Sequence, residues 1–502
     1  MQAIPSETEY AKAANSPRTS ISPALTLLCL ILITAVAAIA RTLYLDSQGI
    51  TLDESFSIFL ARSTFANFWQ LVWHSELNMA LYYLLLRSWM HFGSSEWTIR
   101  ILGVLLSTAT VPVLYLLARR LFNQHTALVA AVILALHPHH LMLAQRARSY
   151  PLVILLVCLA SLAFVRGVQQ PSWTVWSVFA VLSAAAVYSH FFAVLVVAAQ
   201  LLSLFALRRS EIPWKMLLSS LVLMAILLLP FLVFMLLYGS VTHVDWVDDL
   251  SAQQVRWVLY SLTLSKARSL VYIFLWCVSA LTACRLAKPE RWPYFFAFSW
   301  LLTPIVVVIV VSLRRPLMIE RFLSICIPAS VILAAVGIVR LATWSKTLAV
   351  AILALLIFFS VSAIHFYDRH PEFAEGWRES SHWILQRAQA GDAVIANGMI
   401  GLTFDYYWQT SGGNLAHFQR LDAFTAPLPV PPPENVWVLA SARFLPHGKG
   451  TVLKSAEEAV RDFAAAHKNE YCAVSPGFEA GVTRVWRFSR CAPGDAKAPN
   501  AR

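Results

Sequence analysis

The chain reads as a polytopic α-helical membrane protein that ends in a small α/β unit outside the membrane, and three observations predict this. Of its 502 residues, 58% are hydrophobic and only 13% are charged, with 18 Trp and 29 Phe and a mean hydropathy of +0.62. No soluble core needs that much apolar surface. The apolar residues gather into runs separated by short basic loops, and hydropathy falls after Ile364. The formal charge of +12 is scattered between those runs, with no basic domain or stripe, which argues against nucleic acid and for membrane topology and anionic lipid.

A helix needs about 20 apolar residues to cross a bilayer. About eleven segments come near that measure: Ala24 to Tyr44, Ile99 to Leu117, Ala127 to Met142, Pro151 to Val165, Trp173 to Tyr188, Phe191 to Leu207, Met216 to Leu237, Leu270 to Leu286, Tyr294 to Leu313, Phe322 to Leu341 and Thr347 to Ile364. An odd number puts the two termini on opposite sides. Lys12 and Arg18, Arg119 and Arg120, Arg166, Arg208, Arg209 and Lys215, Arg285, Lys288 and Arg291, and Arg340 and Lys346 all fall on one face, which the positive-inside bias makes cytoplasmic. Residues 1–23 are then a cytoplasmic tail, 24–365 a membrane domain and 366–502 an external domain. No small-residue cleavage site follows the first apolar segment, so it is expected to be a retained helix.

The external loop 45–98 is no ordinary connection. Phe65 to Trp73 and Ala80 to His91 are aromatic-rich and too short to span, as expected of interfacial helices that roof a cavity at the membrane face. The acidic pair Asp53-Glu54 opens this loop, and Glu76 and Asn78 follow. Ionisable groups at a membrane boundary are costly to keep there and are functional candidates by default.

Beyond Ile364, Gly376 to Ala390 has helical spacing and leads into a strand at Ala393 to Ala396; further strands are expected at Val436 to Ala440 and Val482 to Phe488, a helix at Ala456 to His467, and an irregular connection at Pro427 to Pro433. Five of seven cysteines lie in or beside apolar segments. Cys472 and Cys491 flank a hairpin-like stretch, where either a disulfide in an oxidising compartment or two free thiols would fit.

Positive charge at the external helix ends is the second anomaly: Arg62, Arg87, Arg100, Arg146, Arg148, Arg256, Lys266, Arg268, Arg314, Arg315 and Arg321 stand on or near the side that usually carries fewer. Singly, each is more simply read as snorkelling to headgroups or pairing with a residue such as Glu96 or Glu320. As a set they favour an anionic ligand, because the planar guanidinium fork suits a lipid phosphate or pyrophosphate. His137, His139 and His140 surround Pro138 at a helix end, which reads as an interfacial turn more readily than a zinc site lacking a fourth ligand. His190 could contact sugar or phosphate, although a lone boundary histidine is more often structural.

Several short stretches occur in an order that carries a family resemblance. They are Leu52-Asp53-Glu54-Ser55, Leu81-Tyr82-Tyr83-Leu84-Leu85-Leu86, Glu96 to Arg100, Ala144-Gln145-Arg146-Ala147-Arg148-Ser149-Tyr150, Tyr188-Ser189-His190-Phe191 and Glu320-Arg321-Phe322. Over roughly residues 24–390, including the Trp377-Arg378 stretch that opens the external domain, the chain resembles the membrane glycosyltransferases of the GT-C superfamily, in particular their bacterial protein-mannosyltransferase-like and aminoarabinose-transferase-like branch. It departs from that pattern in two places: Asn78-Met79-Ala80 stands where members often carry Pro-Pro, and Arg146 stands where many have Glu.

The resemblance implies transfer of a sugar from a polyprenyl-phosphate donor to a lipid, glycan or protein acceptor on the periplasmic face of a bacterial inner membrane, usually with inversion. Asp53 matches the catalytic aspartate, and Glu54, about 100° away on a helix, is left to orient Asp53, bind a metal or simply face solvent. Direct displacement needs one carboxylate to take the acceptor proton and cations to stabilise the departing phosphate. Arg148, Arg321, Arg100 and Arg146 are the phosphate candidates; Tyr150, Gln145, His190, Asn78, Tyr82 and Glu320 are the substrate-binding candidates. No cofactor is expected to be obligatory, and a divalent cation is permitted. A lipid transporter or flippase is the alternative; it fits less well because no internal repeat is visible and the charges cluster at one face.

Overall fold

The computed structural model describes residues 22–238, 247, 249–263, 268–369, 375–396, 398–411, 419–421, 428, 430–441 and 456–491. Most of the expected cytoplasmic tail, with Lys12 and Arg18, lies outside them. Helix α1 (Pro23–Thr42) starts at Ser22, whose hydroxyl accepts from the Leu25 N–H, and leaves a row of leucines and isoleucines exposed along its length. The first long loop then folds into α2 (Leu52–Arg62), α3 (Phe65–Leu71) and α4 (Ala80–Trp89). α3 and α4 fall on the two aromatic-rich stretches expected to form short helices; α2, which carries the acidic pair, is an additional element.

The bundle continues with α5 (Glu96–Leu121), α6 (Gln124–Ala135), α7 (Pro138–Ala144), α8 (Tyr150–Gln169), α9 (Trp173–Ser189), α10 (Ala193–Ser203), α11 (Trp214–Leu227), α12 (Leu229–Tyr238), α13 (Ala252–Thr263), α14 (Arg268–Cys284), α15 (Lys288–Ser312), α16 (Ile327–Ala342) and α17 (Lys346–Arg369). All eleven expected apolar runs are helical, but not all are single rods. Among the described residues six helices are long and apolar enough to cross a membrane alone, and counting two bent pairs raises this to eight. The bends are 57° between α6 and α7 and 50° between α11 and α12. Each lies beside a proline, Pro138 or Pro230, which lacks an N–H and crowds the preceding turn. The other three runs form the shorter helices α9, α10 and α14.

α16 is the hub, buried along nearly its whole length. It packs on α14, α6, α15 and α17. Gly337 makes the closest approach possible: a Cβ there would lie 2.5 Å from the Leu275 carbonyl oxygen. Arg41, fully buried in α1, satisfies the carbonyls released at the α6–α7 bend, donating to Ala135 O (2.8 Å) and Leu134 O (3.2 Å) and to the Ser107 hydroxyl (2.8 Å). A buried cation is tolerable where carbonyl oxygens take up its donors.

The C-terminal unit has α18 (Trp377–Leu385), α19 (Gly398–Thr410), α20 (Ala456–Ala466) and five strands: β1 (Ala393–Ile395), β2 (Gln419–Leu421), β3 (Asn435–Ser441), β4 (Tyr471–Ala480) and β5 (Thr483–Arg490). The sheet order is β2-β1-β3-β5-β4, parallel about β1 and antiparallel from β3 on, with Val438 opposite Trp486. A disulfide joins Cys472 to Cys491 across the open end of the β4–β5 hairpin. α19 packs directly on α2, so the unit sits against the loop that holds the acidic pair.

Candidate active site

The local sequence Thr51-Leu52-Asp53-Glu54 closes a capping box. Thr51 Oγ1 accepts from the Glu54 N–H (3.3 Å), and Glu54 Oε2 accepts from the Thr51 N–H (3.0 Å). This fixes both carboxylates in the first turn of α2, rotated about 100° apart.

Glu54 turns inward and is fully buried. Arg100 Nε lies 2.8 Å from Oε1 and Nη2 lies 2.9 Å from Oε2, and the Ala147 N–H also donates to Oε1 (2.9 Å). Burial acts to raise the Glu54 pKa, but the Arg100 charge and hydrogen bonds, with Arg146 and the Ala147 N–H, bring it down to about 2. Arg100 spends its remaining donors on Leu45 O (2.9 Å), Gln48 O (2.6 Å) and Gly49 O (2.9 Å). Its five N–H groups are thereby engaged, so the geometry leaves it no donor for the phosphate expected of it. Glu54 is likewise occupied in holding the loop and is closed to a catalytic or metal-binding part. The spacing of the two residues in sequence gives no sign that they meet.

Asp53 faces the other way and keeps about a third of its side chain exposed. Its Oδ2 is 3.1 Å from Arg321 Nη1, and Arg148 Nη1 donates to the Asp53 carbonyl (3.1 Å) and to Ser57 Oγ (3.4 Å). Burial works to raise the Asp53 pKa, and Arg148, Arg321 and Arg146 together hold it below the usual carboxylate range. Arg148 comes from the tight turn between α7 and α8, and Arg321 from the residues just before α16. Arg148 Nε, Tyr82 Oη and His190 Nε2 are buried polar atoms with no hydrogen-bond partner among the described residues. Native interiors rarely leave such groups unmatched, and several around one arginine mark a place for a ligand or water.

The remaining expected residues divide. His190 packs among Phe191, Phe192, Phe322 and Tyr150. Burial first, then Arg148 and Arg321, press its pKa to about 3, so it stays neutral near pH 7. Asn78 Oδ1 accepts from the Phe191 N–H (2.7 Å) and ties the first loop to the end of α9. Gln145 donates to Arg41 O (3.1 Å) and Leu43 O (2.8 Å). Arg146 makes no side-chain hydrogen bond or ion pair among the described residues and, with Gln145 and Glu320, lines a cavity of about 510 Å³. The cavity walls include Leu43, Leu141, Met142, Trp257 and Ile364, with Thr51, Glu54 and Arg100; Asp53, Arg148 and Arg321 do not line it.

Among the described residues no three His, Cys, Asp or Glu side chains gather to hold a metal; His140 Nδ1 lies 3.0 Å from Arg41 Nη2 instead. Two carboxylates were not singled out as site residues by sequence. Glu76 meets the Tyr83 hydroxyl (3.4 Å) and has its pKa raised by burial against the pull of Arg148. Glu375 accepts from the Leu52 N–H (3.0 Å). Glu76 was visible as an acid in an aromatic loop, whereas Glu375 had no local signal.

Residues 78–237 match the dolichyl-phosphate-mannose-protein mannosyltransferase family. The structure is similar to ArnT from Cupriavidus metallidurans bound to undecaprenyl phosphate, with a TM-score of 0.62 at 14% identity over 94% of this chain and 99% of that one. It is also similar to the archaeal oligosaccharyltransferase AglB from Archaeoglobus fulgidus in complex with an inhibitory peptide and a dolichol-phosphate, with a TM-score of 0.53 at 12% identity over 90% of this chain and 73% of that one. No curated protein matches the chain. The fold is thus of the GT-C type, and the family match covers residues 78–237 of the chain. Within that fold type its architecture is ArnT-like.

Proposed function

We propose that the protein transfers a sugar from a polyprenyl-phosphate donor to an acceptor on the periplasmic face of a bacterial inner membrane, with inversion and with Asp53 as general base. The observation that carries this reading is the Asp53 carboxylate, paired with Arg321 and held below the usual carboxylate range by Arg148 and Arg321, on a loop whose Thr51 and Glu54 border an apolar-walled cavity that Arg146 also lines. The apolar wall suits a prenyl chain and the arginines suit its phosphate. That ArnT has been captured with undecaprenyl phosphate and AglB with a dolichol-phosphate supports the choice of carrier.

In the step proposed, an acceptor hydroxyl oxygen forms a bond to the sugar C1 as the bond from C1 to the phosphate oxygen breaks. The hydroxyl proton passes to Asp53, and the leaving phosphate keeps the bonding electrons and is stabilised by Arg148 and Arg321. A phosphate oxygen arriving at Arg321 takes over its guanidinium and frees Asp53 Oδ2 for the acceptor. Tyr82, Tyr150 and His190 supply uncharged contacts to the sugar or the phosphate, and Glu320 borders the carrier cavity. A divalent cation beside Asp53 is compatible with this step.

The test is incorporation of radiolabelled sugar from polyprenyl-phosphate donors into lipid, glycan and protein by the purified protein in liposomes. Transfer into one fraction names the acceptor class. No transfer with any donor, together with movement of lipid between leaflets, would replace this reading with the flippase.

A further inference from the structure

The loop from Asp46 to Leu52, which delivers Asp53 to its place, is bonded from both sides. On the membrane side Arg100 holds Leu45 O, Gln48 O and Gly49 O. On the other side every second residue is held by the C-terminal unit. Arg378 Nη2 donates to Asp46 O (2.8 Å) and Gln48 O (2.9 Å), Tyr407 Oη accepts from the Ile50 N–H (2.6 Å), and Glu375 Oε2 accepts from the Leu52 N–H (3.0 Å). Arg378 and Tyr407 both also bond Glu96, in the first turn of α5. There is no slack: a Cβ on Gly49 would lie 2.9 Å from Arg378 Cβ and 3.0 Å from Tyr407 Oη.

Glu375 is the member of this clasp nearest the chemistry. Leu52 opens α2, so its amide is one of the orphan donors of a helix start, where a carboxylate is favoured both as acceptor and against the positive end of the helix. The Glu375 side chain is itself oriented by Trp377 Nε1 (2.7 Å), and its carbonyl accepts from the Val482 N–H (3.2 Å) at the β4–β5 turn. Gly376 follows with φ +81° under the Ala480 carbonyl, a position that admits no side chain.

We infer that Glu375 is a positioning residue: its carboxylate, reaching from the C-terminal unit to the first-turn amide of α2, sets the orientation of Asp53, so the C-terminal unit is part of the catalytic framework as well as a surface facing the acceptor. This rests on the reading of Asp53 as the base. Glu375 touches neither donor nor acceptor in this scheme, so its loss acts on kcat.

The experiment compares full-length wild type, Glu375→Ala and Glu375→Gln in liposomes by two readouts, sugar-transfer kinetics per folded protein and hydrogen exchange of peptides spanning residues 45–60. Glu375→Ala is expected to lower kcat by about 10–100-fold, since small misplacements of a reacting group have effects of that size, with donor KM within about threefold. It is also expected to speed exchange in the first turn of α2 by at least about tenfold. Glu375→Gln keeps an amide oxygen as acceptor and recovers most of both. Trp377→Phe, which removes the orienting indole donor and keeps a ring, shows the same pattern at smaller amplitude and is read if Glu375→Ala does not fold. Unchanged exchange in the first turn of α2, or Gln as defective as Ala, overturns the inference. Exchange that changes as expected in a wild type that transfers no sugar upholds the positioning and instead removes the proposed reaction.

Discussion

Asp53 and Glu54 are chemically near-identical neighbours, and one turn of helix gives them opposite tasks. Glu54 is sealed against Arg100 with both oxygens engaged, whereas Asp53 is left part-exposed between two arginines. The acid pair was legible in the sequence because charge is rare at a membrane boundary. Which of the two faces the site was not legible, since that depends on Arg100, whose partners are set by packing. The consequence is testable by pH. The folded Glu54 pKa of about 2 lies below its ordinary 4.5, so its contribution to stability is complete above about pH 4.5 and is lost as pH falls towards 2. Glu54→Gln strands Arg100 in a buried site and should cost about 3–5 kcal/mol at neutral pH. It should also flatten the decline of melting temperature between pH 4.5 and 2 measured in detergent.

At the scale of elements, the eleven apolar runs were legible because hydropathy is local and needs no knowledge of neighbours. The breaks beside Pro138 and Pro230 were not, because an apolar run hides a bend unless the proline is weighed against the carbonyls it releases. Three strands were visible by their β-branched and aromatic runs. β2 and β4 were not, since a three-residue strand is defined by its partner and β4 contains Ser475, Pro476 and Gly477. Gly376, the left-handed cap before α18, is the element-scale feature with the sharpest consequence. Gly376→Ala should lose about 1–3 kcal/mol from backbone strain alone. Added crowding against Ala480 makes the loss larger, read as a lower unfolding temperature of the purified protein.

For the whole molecule, the bonds from Arg378, Tyr407 and Glu375 to the first loop require the C-terminal unit and Asp53 to share one side of the membrane. The proposed orientation makes that side periplasmic. In a variant without the five free cysteines, a membrane-impermeant maleimide added to intact cells should label Ser411→Cys, in the C-terminal unit, and should label Lys346→Cys, at the start of α17, only after the membrane is opened. The reverse pattern would invert the topology. The pairing within the clasp was not legible, although Glu96, Arg100 and Arg378 stood in stretches that carry the resemblance, because Asp46 to Leu52 and Glu375 to Tyr407 are more than three hundred residues apart.

The central claim is that Asp53 takes the acceptor proton while the arginines hold the carrier phosphate. Its most direct measurement compares Asp53→Asn with wild type in liposomes, donor binding and transfer rate being read on the same preparations. The account predicts donor affinity within about threefold of wild type and a transfer rate lower by about 10²–10⁴-fold, the range for loss of a general base. Equal transfer by the variant would contradict it.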